Sequence, residues 1–246
     1  MIALSLTILG FATADLVRWS PDEASRSRAV AAFAMALLVT TGVGCLAGLT
    51  PIEVLLIETG SMISVLVWLL FDQGVLKDVG PRVRLAWILC VLVAAFALSG
   101  LASSVSGPLA SWYSGLPFHF VASTSIDQAL LGISAALFLL ATSNRIVRLI
   151  LAAAGTLGST GEMTLAGGRL LGPMERLFVG AMVISGDLTA AAALIAAKGL
   201  LRLPEIRSST ERASGVADQV TEYFLIGTFS SLLVASVFGA LVSASG

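Results

Sequence analysis

Four groups of charged or polar residues fall where four hydrophobic segments of this chain should end on one face of a membrane. They are Asn144-Arg145 with Arg148, Arg169 with Glu175-Arg176, Lys198 with Arg202 and Glu205, and Asp218 with Glu222-Tyr223. Charge at a bilayer edge is costly unless it is paired or used, so this set is the candidate site. Lys198 and Arg202 are four residues apart and share a helix face. Glycines at 167, 168 and 172 let backbone approach closely, and Pro173 presets a helix start. Helix N-termini at Pro173 and near Asp218 turn their positive ends to the same face. The expected ligand is therefore anionic, a lipid headgroup or a phosphorylated solute. The expected ligand-binding residues are Arg145, Arg148, Arg169, Glu175, Arg176, Lys198, Arg202, Glu222 and Tyr223. Arg176, Lys198 and Arg202 would hold the anion, with Glu175 and Glu222 orienting them. The structural alternative is a salt-bridge network in which the two glutamates neutralise these cations and lock helices together.

Other residues divide into structural and functional candidates. Thr50-Pro51-Ile52-Glu53 reads as a capping box, with Pro at the first helical position. Ser125-Ile126-Asp127-Gln128 reads the same way. Asp15 and Arg18 are three apart and should form a local pair. Glu58 lies about two turns inside a hydrophobic segment, where a carboxyl must be neutral, paired or water-exposed. It is the candidate proton or cation site; the alternative is a protonated Glu bonded to a neighbouring helix. His119, the single histidine, has no Asp, Glu or Cys neighbour and makes a poor ligand or base. Cys45 and Cys90 lie in apolar segments and read as packed thiols. No metal and no cofactor is expected.

The elements that must position these residues are membrane helices. The chain is 57% hydrophobic and 12% charged, against about 25% charged in soluble domains. A net charge of −1 gives no basic excess for nucleic acid. A spanning helix needs about 20 apolar residues. Segments 1–17, 29–49, 51–71, 85–105, 125–142 and 220–243 meet or approach that. Between the last two lies 170–203, broken at Ser185-Gly186-Asp187 into a short hairpin of 173–185 and 188–203. The expected fold is an all-α polytopic bundle of about eight membrane segments, segments six and seven being the hairpin. An N-terminal four-helix region, 1–124, precedes a C-terminal module, 125–246. The first segment lacks a basic lead and a cleavage site and reads as a retained helix.

Basic residues fall in alternate loops. Arg18, Arg26 and Arg28 follow segment one; Lys77, Arg82 and Arg84 follow segment three; Arg145, Arg148 and Arg169 follow segment five. Lys198, Arg202, Arg207 and Arg212 surround the end of segment seven. The loops near Thr50, 103–124 and Gly186 hold no Lys or Arg. The positive-inside rule then puts both termini outside. The outer loop 106–123 carries Trp112, Tyr113 and Phe118, interface anchors by type. The loop 204–219 is polar and charged and should be mobile. Small residues pervade the helices and favour close packing, within one chain or in a homo-oligomer.

Three stretches carry a resemblance. They are Gly168-Arg169-Leu170-Leu171-Gly172-Pro173-Met174-Glu175-Arg176-Leu177, Ala196-Ala197-Lys198-Gly199-Leu200-Leu201-Arg202 and Glu222-Tyr223-Phe224-Leu225-Ile226-Gly227-Thr228. Together they resemble a C-terminal module of uncharacterised bacterial membrane proteins seen with domain-of-unknown-function family 3307, over about Asn144 to Ser231. The resemblance implies a multi-pass protein of the bacterial cytoplasmic membrane and carries no activity with it. Motifs for enzymes are missing. Gly167–Gly172 runs into Pro rather than Lys-Ser/Thr, so it is no P-loop, and there is no His-Glu-x-x-His. Binding or transport of an anion is thus expected ahead of a non-catalytic accessory or scaffold subunit. A membrane enzyme acting on a lipid phosphate comes third, with Glu175 or Glu222 as base or metal ligand. Expected partners are membrane lipids, the anion and a protein partner or second copy.

Overall fold

The computed structural model describes residues 1–18, 25–76, 78–118, 123–155, 168–197, 199–200 and 216–246, without the side chains of 168–170, 216–221 and 224. Among them the regular structure is helical and no strand occurs. The helices are α1 (Ile2–Val17), α2 (Arg26–Leu46), α3 (Pro51–Asp72), α4 (Pro81–Ser99), α5 (Pro108–Ser114), α6 (Ile126–Leu140), α7 (Thr142–Ala154) and α8 (Gly168–Ile184). Then come α9 (Leu188–Ala197) and α10 (Val216–Ser243). By length and composition α2, α3, α4 and the Leu225–Ser243 part of α10 can each cross a membrane; α6 with α7 makes a fifth if the pair is one span. The all-α membrane architecture holds at that level.

Several boundaries depart from the sequence reading. The fourth segment stops at Ser99 rather than continuing to 105. The outer loop contains the short helix α5, started by Pro108. α8 begins at Gly168, five residues before Pro173, which sits inside the helix. As the sixth residue of α8 it lies past the four orphan donors of the first turn, so the helix forgoes one bond, to the Arg169 carbonyl. The described chain also divides into two compact units, Met1–Thr142 with Ala244–Gly246, and Ser143–Ser243. α6 packs along α1 in the first unit.

In the first unit α1 is the central helix. It packs against α2, α3, α4 and α6, and every residue from Ile2 to Asp15 is buried. Sixteen residues make a helix about 24 Å long, short of the roughly 30 Å hydrocarbon core. Its polar groups therefore find partners inside the bundle. The Leu4 N–H, one of the orphan donors of the first turn, donates to Ser99 Oγ of α4 at 2.9 Å. The hydroxyls of Thr7 and Thr13 donate to the carbonyls of Ala3 and Leu9, both at 2.8 Å.

The neighbours turn small and polar faces inward. On α2 the buried residues are Ala32, Ala36, Thr40 and Gly44, a four-residue repeat that lets helices approach closely. On α3 they include Glu58, Ser61, Ser64 and Trp68. Large aliphatic side chains point the other way: Leu38, Leu55, Leu56 and Leu89 are all more than half exposed. That outward apolar surface is what lipid would cover.

Each end of this unit is tied differently. At one end the Thr50 capping box forms as expected, Thr50 Oγ1 accepting from the Glu53 N–H and Glu53 Oε2 accepting from the Thr50 N–H at 2.9 Å. Glu53 Oε1 also accepts from the Ser103 N–H at 2.9 Å and its hydroxyl at 2.7 Å. Ser125 caps α6 by accepting from the Gln128 N–H. The Ala47 carbonyl accepts from the N–H groups of Ser106 and Gly107 at 3.0 and 3.1 Å. Gly48, at φ +75°, meets Gly107 so closely that a Cβ on either would clash with backbone. At the other end the Asp15–Arg18 pair forms at 2.6 Å, but it is buried and wider than a local pair. Arg18 NH1 lies 3.0 Å from Asp72 Oδ2 of α3, and Trp68 Nε1 donates to Asp15 at 3.2 Å. Arg84 of α4 sits over the Phe71 ring, 5.5 Å from its centroid.

Arg18→Ala leaves two aspartates without their cation and should lower stability by about 3–5 kcal/mol. The triple change Asp15→Asn, Arg18→Met, Asp72→Asn should recover most of it. Denaturant unfolding in detergent measures both.

Candidate functional site

In the second unit α8 packs against α10. Gly239 permits this: a Cβ there would fall 2.8 Å from Val183 Cβ and 3.0 Å from the Gly180 carbonyl. α8 ends in the turn 185–187, with Gly186 at φ +78° and Asp187 Oδ1 accepting from the Ala190 N–H at 2.9 Å. The break foreseen at Ser185-Gly186-Asp187 is thus a C-terminal glycine turn followed directly by an N-cap.

Because α8 starts at Gly168, Glu175-Arg176 lie about two turns inside it rather than one turn from a start at Pro173. Arg176 is 3% exposed. Its guanidinium donates to Ser231 Oγ of α10 at 3.2 Å and to Asn144 Oδ1 of α7. Three helices thus meet on one buried cation, and both of these acceptors are neutral oxygens. Ser231 was not foreseen; a serine in an apolar helix carries no sequence signal. Asn144 was visible only as a neighbour of Arg145.

The remaining candidates spread out. Arg145 is half-buried and Arg148 exposed on α7; Glu175 is half-buried on α8. Glu222 and Tyr223 are exposed near the start of α10. Nine residues separate Glu222 from Ser231, about 13 Å along the helix, so Glu222 does not sit at the level of the Arg176 contacts. The side chains of Arg169 and Asp218, and residues Lys198, Arg202, Glu205, Arg207, Arg212 and His119, lie outside the described residues, as does most of the loop 204–219.

In the first unit Glu58 is 7% exposed. Its Oε2 lies 3.0 Å from Thr40 Oγ1 of α2, and its Oε1 has no hydrogen-bond partner among the described residues. Among the described residues no group of three His, Cys, Asp or Glu is placed to hold a metal ion. Cys45 and Cys90 are exposed free thiols on apolar outer faces, not packed ones.

These features are those of a helical membrane protein with, among the described residues, one buried, polar-bonded arginine in each unit. No protein-family model, curated protein or solved structure matches the chain.

Ser231→Ala and Asn144→Ala should each cost about 1–3 kcal/mol, since each leaves part of a buried guanidinium unsatisfied. In an Arg176→Met background Ser231→Ala should cost less than about 0.5 kcal/mol. A double-mutant cycle by denaturant unfolding checks the coupling.

Proposed function

We propose that this chain is an integral membrane protein that binds or transports an anionic ligand, a lipid headgroup or a phosphorylated solute, at a cytoplasmic-face site in its second unit. The observation that carries this is Arg176, a guanidinium buried among three helices and hydrogen-bonded to the neutral oxygens of Asn144 and Ser231. A charge kept at such depth costs several kcal/mol unless used. In this reading Arg176 anchors the site, Arg145, Arg148, Arg169, Lys198 and Arg202 are the further cations it would draw on, and Glu175, Glu222 and Tyr223 are the residues that would orient them. α10 is 28 residues long, about 42 Å, so the part before Leu225, with Asp218 and Glu222, projects beyond a roughly 30 Å core.

The finer topology belongs to the same proposal. Eight segments cross or enter the membrane, α8 and α9 form a hairpin, and both termini lie outside a bacterial cytoplasmic membrane. The first unit supports the alternation. Its end at Met1, Ala47, Glu53, Ser103 and Asp127 comes from stretches without Lys or Arg, while Arg18 and Arg84 gather at the other end. In a chain with Cys45 and Cys90 changed to serine, Ser111→Cys should react with an impermeant maleimide on intact cells. Arg207→Cys should react only after lysis; the reverse pattern inverts the topology.

A second reading, an accessory or scaffold subunit, is favoured by the same contacts, because Asn144 and Ser231 already hold Arg176. Native mass spectrometry of protein extracted in its own lipid separates the two. The expected result is a bound anionic mass that is lost in a still-folded Lys198→Ala variant. An empty wild-type protein, or one carrying only another polypeptide, replaces the binding reading with the scaffold.

A further inference from the structure

We propose that Glu58 is a reversible proton-binding site in the interior of the first unit, with Thr40 as its built-in hydrogen-bond partner. Thr40 Oγ1 lies 2.8 Å from the Ala36 carbonyl oxygen and 3.0 Å from Glu58 Oε2. A hydroxyl has one hydrogen, so it cannot donate to both. If Glu58 is a carboxylate, Thr40 gives its hydrogen to Oε2, and Oε1 stays bare among buried atoms. A full negative charge then sits in the bundle on a single hydrogen bond, which costs several kcal/mol.

If Glu58 carries a proton on Oε2, the set closes. The acid O–H donates to Thr40 Oγ1, and the Thr40 O–H donates to the Ala36 carbonyl. Only the neutral carbonyl oxygen Oε1 is left without a donor, a far smaller cost than a bare charge. The site takes one proton and becomes neutral; releasing it leaves one negative charge and turns the Thr40 hydroxyl over. A divalent ion would leave net positive charge on a lone carboxylate, and among the described residues no second carboxyl is grouped with it to hold a metal.

The surroundings isolate this equilibrium. α1, α2 and α4 pack against α3, and their charged residues lie toward helix ends: Asp15 and Arg18 on α1, Arg26 and Arg28 on α2, Arg82 and Arg84 on α4. On α3 itself Glu53 is engaged by Thr50 and Ser103, and Asp72 by Arg18. The thiols Cys45 and Cys90 are on outward faces. Ser61, one turn on from Glu58, is 3% exposed, and its hydroxyl has no hydrogen-bond partner among the described residues. It faces α1, where a Cβ on Gly10 would come within 3.2 Å of Ser61 Oγ. This face of α3 therefore holds hydrogen-bonding capacity that packing alone does not use.

Infrared spectroscopy of the full chain in lipid reads the proton directly. The expected result is a carboxylic-acid C=O band at neutral pH that shifts in D2O, is lost in Glu58→Gln, and converts to carboxylate bands as pH rises. Thr40→Val keeps the carboxyl but removes its acceptor, so the acid band should move; it serves also if Glu58→Gln does not fold. A carboxylate band at every pH where the protein is folded overturns the proposal. So does an acid band that neither exchanges in D2O nor converts, which would be a fixed structural hydrogen bond.

Discussion

The first unit depends on enclosing α1. A helix ringed by four others has no face for water or lipid, so each polar atom on it must find a partner in the protein. Ser99 meets an N-terminal donor, Thr7 and Thr13 turn back onto their own carbonyls, and Asp15 with Arg18 closes the far end through Trp68 and Asp72. The same enclosure sets the character of the neighbours. Close approach to α1 goes with the Ala32, Ala36, Thr40 and Gly44 stripe on α2, and the buried face of α3 mixes Glu58, Ser61 and Ser64 with Met62, Val65 and Trp68. The large apolar side chains are left for the outside.

This inversion explains what was legible in the sequence. In water, inward faces announce themselves by hydrophobic periodicity; here both faces are apolar, and on α2 the inward one stands out by being small. Segment existence was readable because length and composition suffice, and the Thr50 and Ser125 caps were readable because their partners lie three residues away. The α6 membership was not, since its packing on α1 joins residues more than a hundred apart. Pro173 misled because α8 accepts a proline in its second turn, at the loss of one backbone hydrogen bond.

The charged contacts divide along the same line. Asp15 and Arg18 could be paired from their spacing, but Asp72 and Trp68, on another helix, could not. Arg176 could be singled out as a membrane cation, whereas its partners Asn144 and Ser231 come from 32 and 55 residues away. Local chemistry was visible; the choice of which helix supplies the second partner was not.

The two buried arginines are solved in different ways. Arg18 is held between two carboxylates, with a tryptophan completing the set, so its charge is matched within the protein. Such a group has little left to offer a ligand and serves to fasten α1 to α3. Arg176 donates to an amide oxygen and a hydroxyl, and its neighbour Glu175 contributes the favourable charge. Arg18 thus fastens two helices through matched charge, while Arg176 fastens three through hydrogen bonds to neutral side chains with Glu175 beside it.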